Sequence, residues 1–155
     1  MEILTQSTPF LGIFGLLVAY GIYVAIERQP SGTDLMRDIA GQIRVGAMAF
    51  LRREYTVLVF FVLVVAVLLG IFLRIEMAYA FVGGALCSVL AGFFGMRAAT
   101  SANVRTAEAA RGSGQGKALL IAFNGGAVMG VSVASLGLIG LGVTFHFFGS
   151  PETAN

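Results

Sequence analysis

Residues 55–73 read "YTVLVFFVLVVAVLLGIFL", and how this run is read decides the fold. It contains no charged residue and no proline, and its apolar residues do not alternate with polar ones. An α-helix of this length measures about 28 Å at roughly 1.5 Å per residue, close to the ~30 Å hydrocarbon thickness of a bilayer. A helix that is apolar all round is either the centre of a large core or a membrane span. Charge returns abruptly on both sides, with Arg52, Arg53 and Glu54 before the run and Arg74 and Glu76 after it. The run therefore reads as a transmembrane helix.

Working outward, three more blocks have the same character: 10–26, 77–96 and 118–148. The last is long enough to require tilt or a projecting end. The whole chain of 155 residues is 57% hydrophobic and 12% charged, whereas soluble domains run near a quarter charged. The fold class expected is all-α: a polytopic membrane protein with four transmembrane helices, forming a single membrane region over residues 1–155. The first block carries Glu2 and no basic residue on its N-terminal flank and has no small-residue cleavage site, so it reads as a span and not as a cleaved signal peptide.

Orientation follows from the basic residues. Arg28, Arg37, Arg44, Arg52 and Arg53 lie between spans one and two; Arg97, Arg105, Arg111 and Lys117 lie between spans three and four. Only Arg74 falls in the opposite turn. The positive-inside rule makes segments 28–54 and 97–117 cytoplasmic and both termini external. Tyr55 and Tyr79 stand near span ends, where amphipathic rings favour the interface. Segment 28–54 predicts a helix starting near Asp34, capped by Thr33 or Ser31. Its apolar face is Leu35, Ile39, Ile43, Ala47 and Phe50, and it either lies at the interface or extends span two into the cytoplasm. Residues 97–111 are alanine-rich and predict a helical continuation of span three, broken by the glycine-rich "GSGQG" at 112–116.

Little here suggests chemistry. "GSGQGK" lacks phosphate-loop spacing and follows no strand. Asp34 and Asp38 share a helical face, but nothing nearby supplies further oxygens, and acidic residues suit a helix start. Cys87 is single and apolar-flanked, a packing residue. Spans one to three contain no Asp, Glu, Lys, Arg or His; span four offers only the polar Asn124 and His146, near its two ends. Ion relays need ionisable groups at depth, which argues against a self-contained pump and against a small four-span drug transporter. What the spans do supply is small residues. Gly126 and Gly130 form a GxxxG, a pattern that lets helix backbones approach, and Asn124 is placed to bond a neighbouring helix or to face the headgroups. The packing candidates are Asn103, Arg105, Asn124, Gly126 and Gly130. No feature points to nucleic acid.

Three stretches carry a family likeness: "RVGAMAFLRREY" (44–55), "GFFGMRAATSANVRTAEAA" (92–110) and "KALLIAFNGGAVMGVSVASLGLIGLG" (117–142). In this order and spacing they resemble the membrane-bound pyrophosphatases, which are pyrophosphate-energised proton or sodium pumps. The resemblance implies a fold of sixteen spans in a longer, usually homodimeric, magnesium-dependent protein of the prokaryotic inner membrane. Six inner-ring helices would then carry hydrolysis and ion passage, and the first four spans would belong to the outer ring. The family's pyrophosphate motif, D-x-x-x-D-L-x-G-K-x-E, does not occur in this sequence, and Asp34–Asp38 is not its start. No catalytic, cofactor-binding or metal residue is therefore carried over. The chain is expected to be an N-terminal fragment of such a pump, inactive alone, with Asn103 and Arg105 holding the outer helices to the inner ring. The alternative is a non-catalytic four-helix scaffold or subunit packed against a partner membrane protein. The polar stretch "SPETAN" (150–155) reads equally as a terminus or as a loop to a fifth span.

Overall fold

A computed structural model describes residues 2–148, with side chains described for 7–147. The 150–155 tail, and with it any reading of the C-terminal end, lies outside the described residues. Four helices account for the described chain: α1 (Glu2–Glu27), α2 (Asp34–Phe72), α3 (Ile75–Gly112) and α4 (Gln115–Phe148). All four are long and apolar enough to cross a membrane. The all-α, four-span expectation holds, and each expected span lies inside one helix, apart from Leu73, which caps α2.

The breaks have local causes. Thr33 caps α2, its Oγ1 accepting from the Met36 N–H at 3.4 Å, which satisfies one of the orphan donors of a helix start. Just before it Gly32 stands at φ +80°, where a Cβ would meet the Met36 sulfur at 2.6 Å. Helix α3 stops at Gly112. The Ser113 N–H returns to the Ala109 carbonyl at 2.8 Å, and Gly114 at φ +90° redirects the chain. The expected glycine break thus falls where a left-handed residue is needed. Only Leu73 and Arg74 separate α2 from α3.

Residues 34–54 do not lie along the membrane surface as a separate element. They run without interruption into span two, giving a 39-residue helix of about 58 Å, roughly twice a bilayer core. Its expected apolar face is open: Leu35, Ile39, Ile43 and Phe50 are all exposed.

Helix α4 is the centre of the bundle. It packs along both α1 and α3, while α2 packs on the far side of α3, and α1 meets α3 only briefly. The core is small-residue packing around Ala19, Ile26, Ala98, Ala102, Ala109, Ala118, Ile121 and Val128. A Cβ on Gly125 would stand 2.7 Å from the Ala102 Cβ, and one on Gly95 would stand 2.6 Å from Met129. On the other side a Cβ on Gly12 would meet the Ser135 carbonyl oxygen at 2.6 Å, and one on Gly15 would meet the Ser135 hydroxyl. These glycines set the interhelix distances, because without a hydrophobic force between helices in lipid, close dispersion contact must do the work. Large apolar side chains point outward all round, as suits a molecule whose solvent is hydrocarbon.

Candidate functional site

The polar centre of the described molecule lies where the C-terminal end of α1 meets the C-terminal extension of α3. Arg105 is nearly buried, at 9% exposure. Its Nε donates to the Gln29 carbonyl at 3.2 Å; one terminal nitrogen donates to the Ser101 carbonyl and hydroxyl, both at 2.9 Å; the other donates to the Glu27 carbonyl at 3.2 Å and to Glu27 Oε2 at 3.1 Å. A guanidinium has five N–H donors in a rigid fork, and these five contacts occupy them. Ser101 lies one helical turn before Arg105, on the same face. It accepts from Arg105 while its own hydroxyl donates to Glu27 Oε1. Arginine, serine and glutamate close a ring.

The arrangement also solves a backbone problem. The last carbonyls of a helix lack intrahelical partners, and α1 ends in the sequence "ERQP", where Pro30 forbids continuation. Arg105 supplies a donor to one of those carbonyls, that of Glu27, and another to the Gln29 carbonyl just past the helix end, and its positive charge suits the negative end of the α1 dipole. Beside it, Arg97 Nε donates to the Tyr23 hydroxyl at 3.3 Å, a second tie between the same helices. Further along α3, Arg111 makes a two-pronged contact with Glu108, both at 2.9 Å. That hydrogen bond and the adjacent charge hold the Glu108 carboxyl below its ordinary range. Across the bundle the Tyr55 hydroxyl donates to the Val89 carbonyl at 2.8 Å, fastening α2 to α3. A Cβ on Gly92 would stand 3.2 Å from that oxygen.

The other candidates scatter. Asn103 is exposed and lines a shallow α3–α4 groove with Thr106 and Gly126. The Thr106 Oγ1 is buried there without a hydrogen-bond partner among the described residues. Asn124 is half-buried near the start of α4. Gly126 and Gly130 have open space where their Cβ atoms would be, so the GxxxG faces away from the other three helices. Arg105 is committed to α1, where the sequence pointed to helices beyond the chain. Sequence reasoning missed Glu27, Ser101, Tyr23 and the backbone oxygen of Gln29. A usable signal existed for two of them: Glu27 is the one acidic residue at the end of span one, and Ser101 stands four residues before Arg105. Among the described residues no group of three or more His, Cys, Asp or Glu could hold a metal. Asp34 pairs with Arg37 on the surface.

These features define a class: an integral, multi-pass helical membrane protein whose polar contacts join helices to one another. Over residues 13–155 the sequence matches the family described as Inorganic H+ pyrophosphatase, and the chain belongs to that family. It is 48% identical over 149 residues to the putative K(+)-stimulated pyrophosphate-energized sodium pump of Clostridium tetani, covering 96% of this chain and 22% of the relative. It is 44% identical over 142 residues to the K(+)-insensitive pyrophosphate-energized proton pump 2 of Moorella thermoacetica, covering 91% of this chain and 21% of that one. A K(+)-insensitive proton pump of Methanosarcina mazei is 36% identical over 154 residues, covering 98% and 23% respectively. The chain thus spans about a fifth to a quarter of the length of these relatives.

Proposed function

We propose that this chain forms the first four helices of a pyrophosphate-energised ion pump, as an outer scaffold on which helices beyond it assemble. The whole protein would couple magnesium-dependent pyrophosphate hydrolysis to outward movement of protons or sodium, as a homodimer in a prokaryotic inner membrane. Both termini would be external and segments 28–54 and 97–117 cytoplasmic. The described residues hold no catalytic group in this reading; their work is positional.

One observation carries the scaffold role. The face of the α3–α4 pair that none of the other helices covers is lined by small residues along most of its length. Gly84 and Ser88 lie with Gly137 and Gly140, beside Met129, Val133 and Leu136, in the outer half, and Ala99 and Asn103 lie with Ala122 and Gly126 in the cytoplasmic half. Such a surface admits a helix backbone at short range, and a helix seated there would bring polar partners within reach of Thr106 and Asn103. A partner subunit seated on the same groove is the alternative occupant.

A chimera tests the proposal. Residues 1–155 replace the matching helices of the Clostridium tetani relative, and pyrophosphate hydrolysis and ion uptake are measured in membrane vesicles. Retention of both is expected. A chimera that assembles but neither hydrolyses nor transports would refute the scaffold role. The unfused chain is expected to release no phosphate above the empty-vector membrane.

A further inference from the structure

A second groove runs on the opposite side of α4, between α1 and α3, and its chemistry differs from that of the small-residue face. We infer that it holds one acyl chain of an anionic phospholipid from the cytoplasmic leaflet, with the lipid phosphate against Arg97. The inference is independent of the pump reading.

The groove encloses about 360 Å³. It exists because α1 and α3 both pack on α4 but barely on each other. Leu16 and Tyr20 form one wall, Phe93 and Phe94 the other, and Ser132 of α4 lies in the floor. Bulky aromatic walls keep a helix backbone away, the reverse of the glycine-lined face. A flexible hydrocarbon chain fits such a slot, and it is the material in which the helices are dissolved.

The polar end selects the headgroup. Arg97 and Tyr23 stand together where the groove reaches the cytoplasmic boundary of span three. The Arg97 side chain is exposed, and its hydrogen bond goes to a neutral phenol. The acid closest to it in this cluster, Glu27, already receives Arg105 and the Ser101 hydroxyl. The Arg97 guanidinium therefore keeps N–H donors facing the headgroup layer, where a phosphate can take two of them. Basic residues crowd this side of the chain, which favours lipids of net negative charge.

Native mass spectrometry of the full 155-residue chain, released from detergent after addition of phosphatidylglycerol or phosphatidylcholine, reads the occupancy directly. One phosphatidylglycerol should remain bound, favoured over phosphatidylcholine by about fivefold, the factor expected for one basic residue at an anionic surface. Arg97→Gln should erase that preference, Arg97→Lys should keep it, and Leu16→Trp should expel either lipid by filling the slot. Monodisperse elution and unchanged helical circular dichroism are required of each variant; if one fails them, the remaining variants decide. Equal occupancy of the two lipids in the wild type would overturn the inference. So would retention of lipid by Leu16→Trp, or glycerol phosphate binding as well as the lipid, which would mean a free-anion site. A dimer that Leu16→Trp dissociates in the absence of lipid would instead place a second copy in the groove.

Discussion

Replacing Arg105 by alanine should free the C-terminal end of α1 while leaving the spans inserted. The substitution removes all five donors at once, leaving the Glu27 carboxylate and the Glu27 and Gln29 carbonyls without them. Breaking a fully buried ion pair costs about 3–5 kcal/mol. Here the arginine side chain is 10% exposed but that of Glu27 is 37% exposed, so water recovers part of the loss, leaving about 2–3 kcal/mol. At roughly 1.4 kcal/mol per factor of ten, the equilibrium for undocking residues 24–30 should rise about 30- to 150-fold. Hydrogen exchange of those backbone amides in lipid nanodiscs measures that ratio, because local opening governs their exchange. Arg105→Lys keeps the charge but not the fork and should fall between wild type and alanine. Glu27→Gln retains an acceptor for Ser101 and should cost less than Arg105→Ala. The double variant should cost less than the sum of the single ones, since the two residues share one contact. A change below about threefold, within the reach of a surface pair, would refute the reasoning. So would uniform loss of protection along α4. In a full-length relative the same substitution should lower assembly and leave pyrophosphate affinity near wild type; a selective loss of affinity in a normally assembled protein would instead place the stretch 92–112 at the active site.

Three further outcomes follow from the packing. Gly125→Val drives a side chain into Ala102 and should lower the stability of the four-helix unit by about 1–3 kcal/mol by thermal unfolding in detergent. Gly126→Leu meets open space and should leave the 155-residue chain unchanged, while blocking assembly of a chimeric pump on gel filtration; destabilisation of the chain alone would contradict the outward placement of Gly126. Tyr55→Phe removes the hydroxyl bond to Val89 and should cost about 0.6–1 kcal/mol, loosening α2 from α3 as read by cross-linking between them. An unchanged cross-linking rate would show that the bond adds nothing to that contact.

The helices were legible because their signals are local and strong. Uninterrupted apolar runs of bilayer length leave no other solution in lipid, and Thr33, Gly112 and Gly114 punctuate the chain by rules that act over a few residues. The alanine-rich 97–111 segment behaves as its composition predicts. Which helix touches which was not legible. Ridges of small residues occur on several faces of α3 and α4, and nothing in "NGGAVMG" distinguishes Gly125, which packs, from Gly126, which does not. One residue step rotates the contact by 100°, and only the placement of α1 and α3 chooses between the two. The Arg105 ring was hidden for a related reason. Its partners Glu27 and Gln29 lie more than seventy positions earlier in the chain, and three of its acceptors are backbone oxygens that have no residue signature. The sequence of the α2 extension suits a surface helix and a continuation equally, because an apolar stripe fits both; continuity through Arg52, Arg53 and Glu54 is what the structure adds.

The spatial order of the helices has a consequence for biogenesis. Along the chain they run one, two, three, four; across the bundle they run α1, α4, α3, α2. Helices α1 and α2, successive along the chain, do not pack substantially on each other. During synthesis α1 has no lasting neighbour among these four helices until α3 and α4 have followed it, because its seat is α4 and its polar latch is Arg105. It must therefore be soluble in lipid as a solitary helix. Its span carries no charge from Phe10 to Ile26, and the residue that commits it to the bundle, Glu27, stands at the edge. Helix α2 needs no such wait, since its partner α3 emerges directly after it through a two-residue turn. The bundle is thus closed by its last helix, which slides between a waiting α1 and a preformed α2–α3 hairpin.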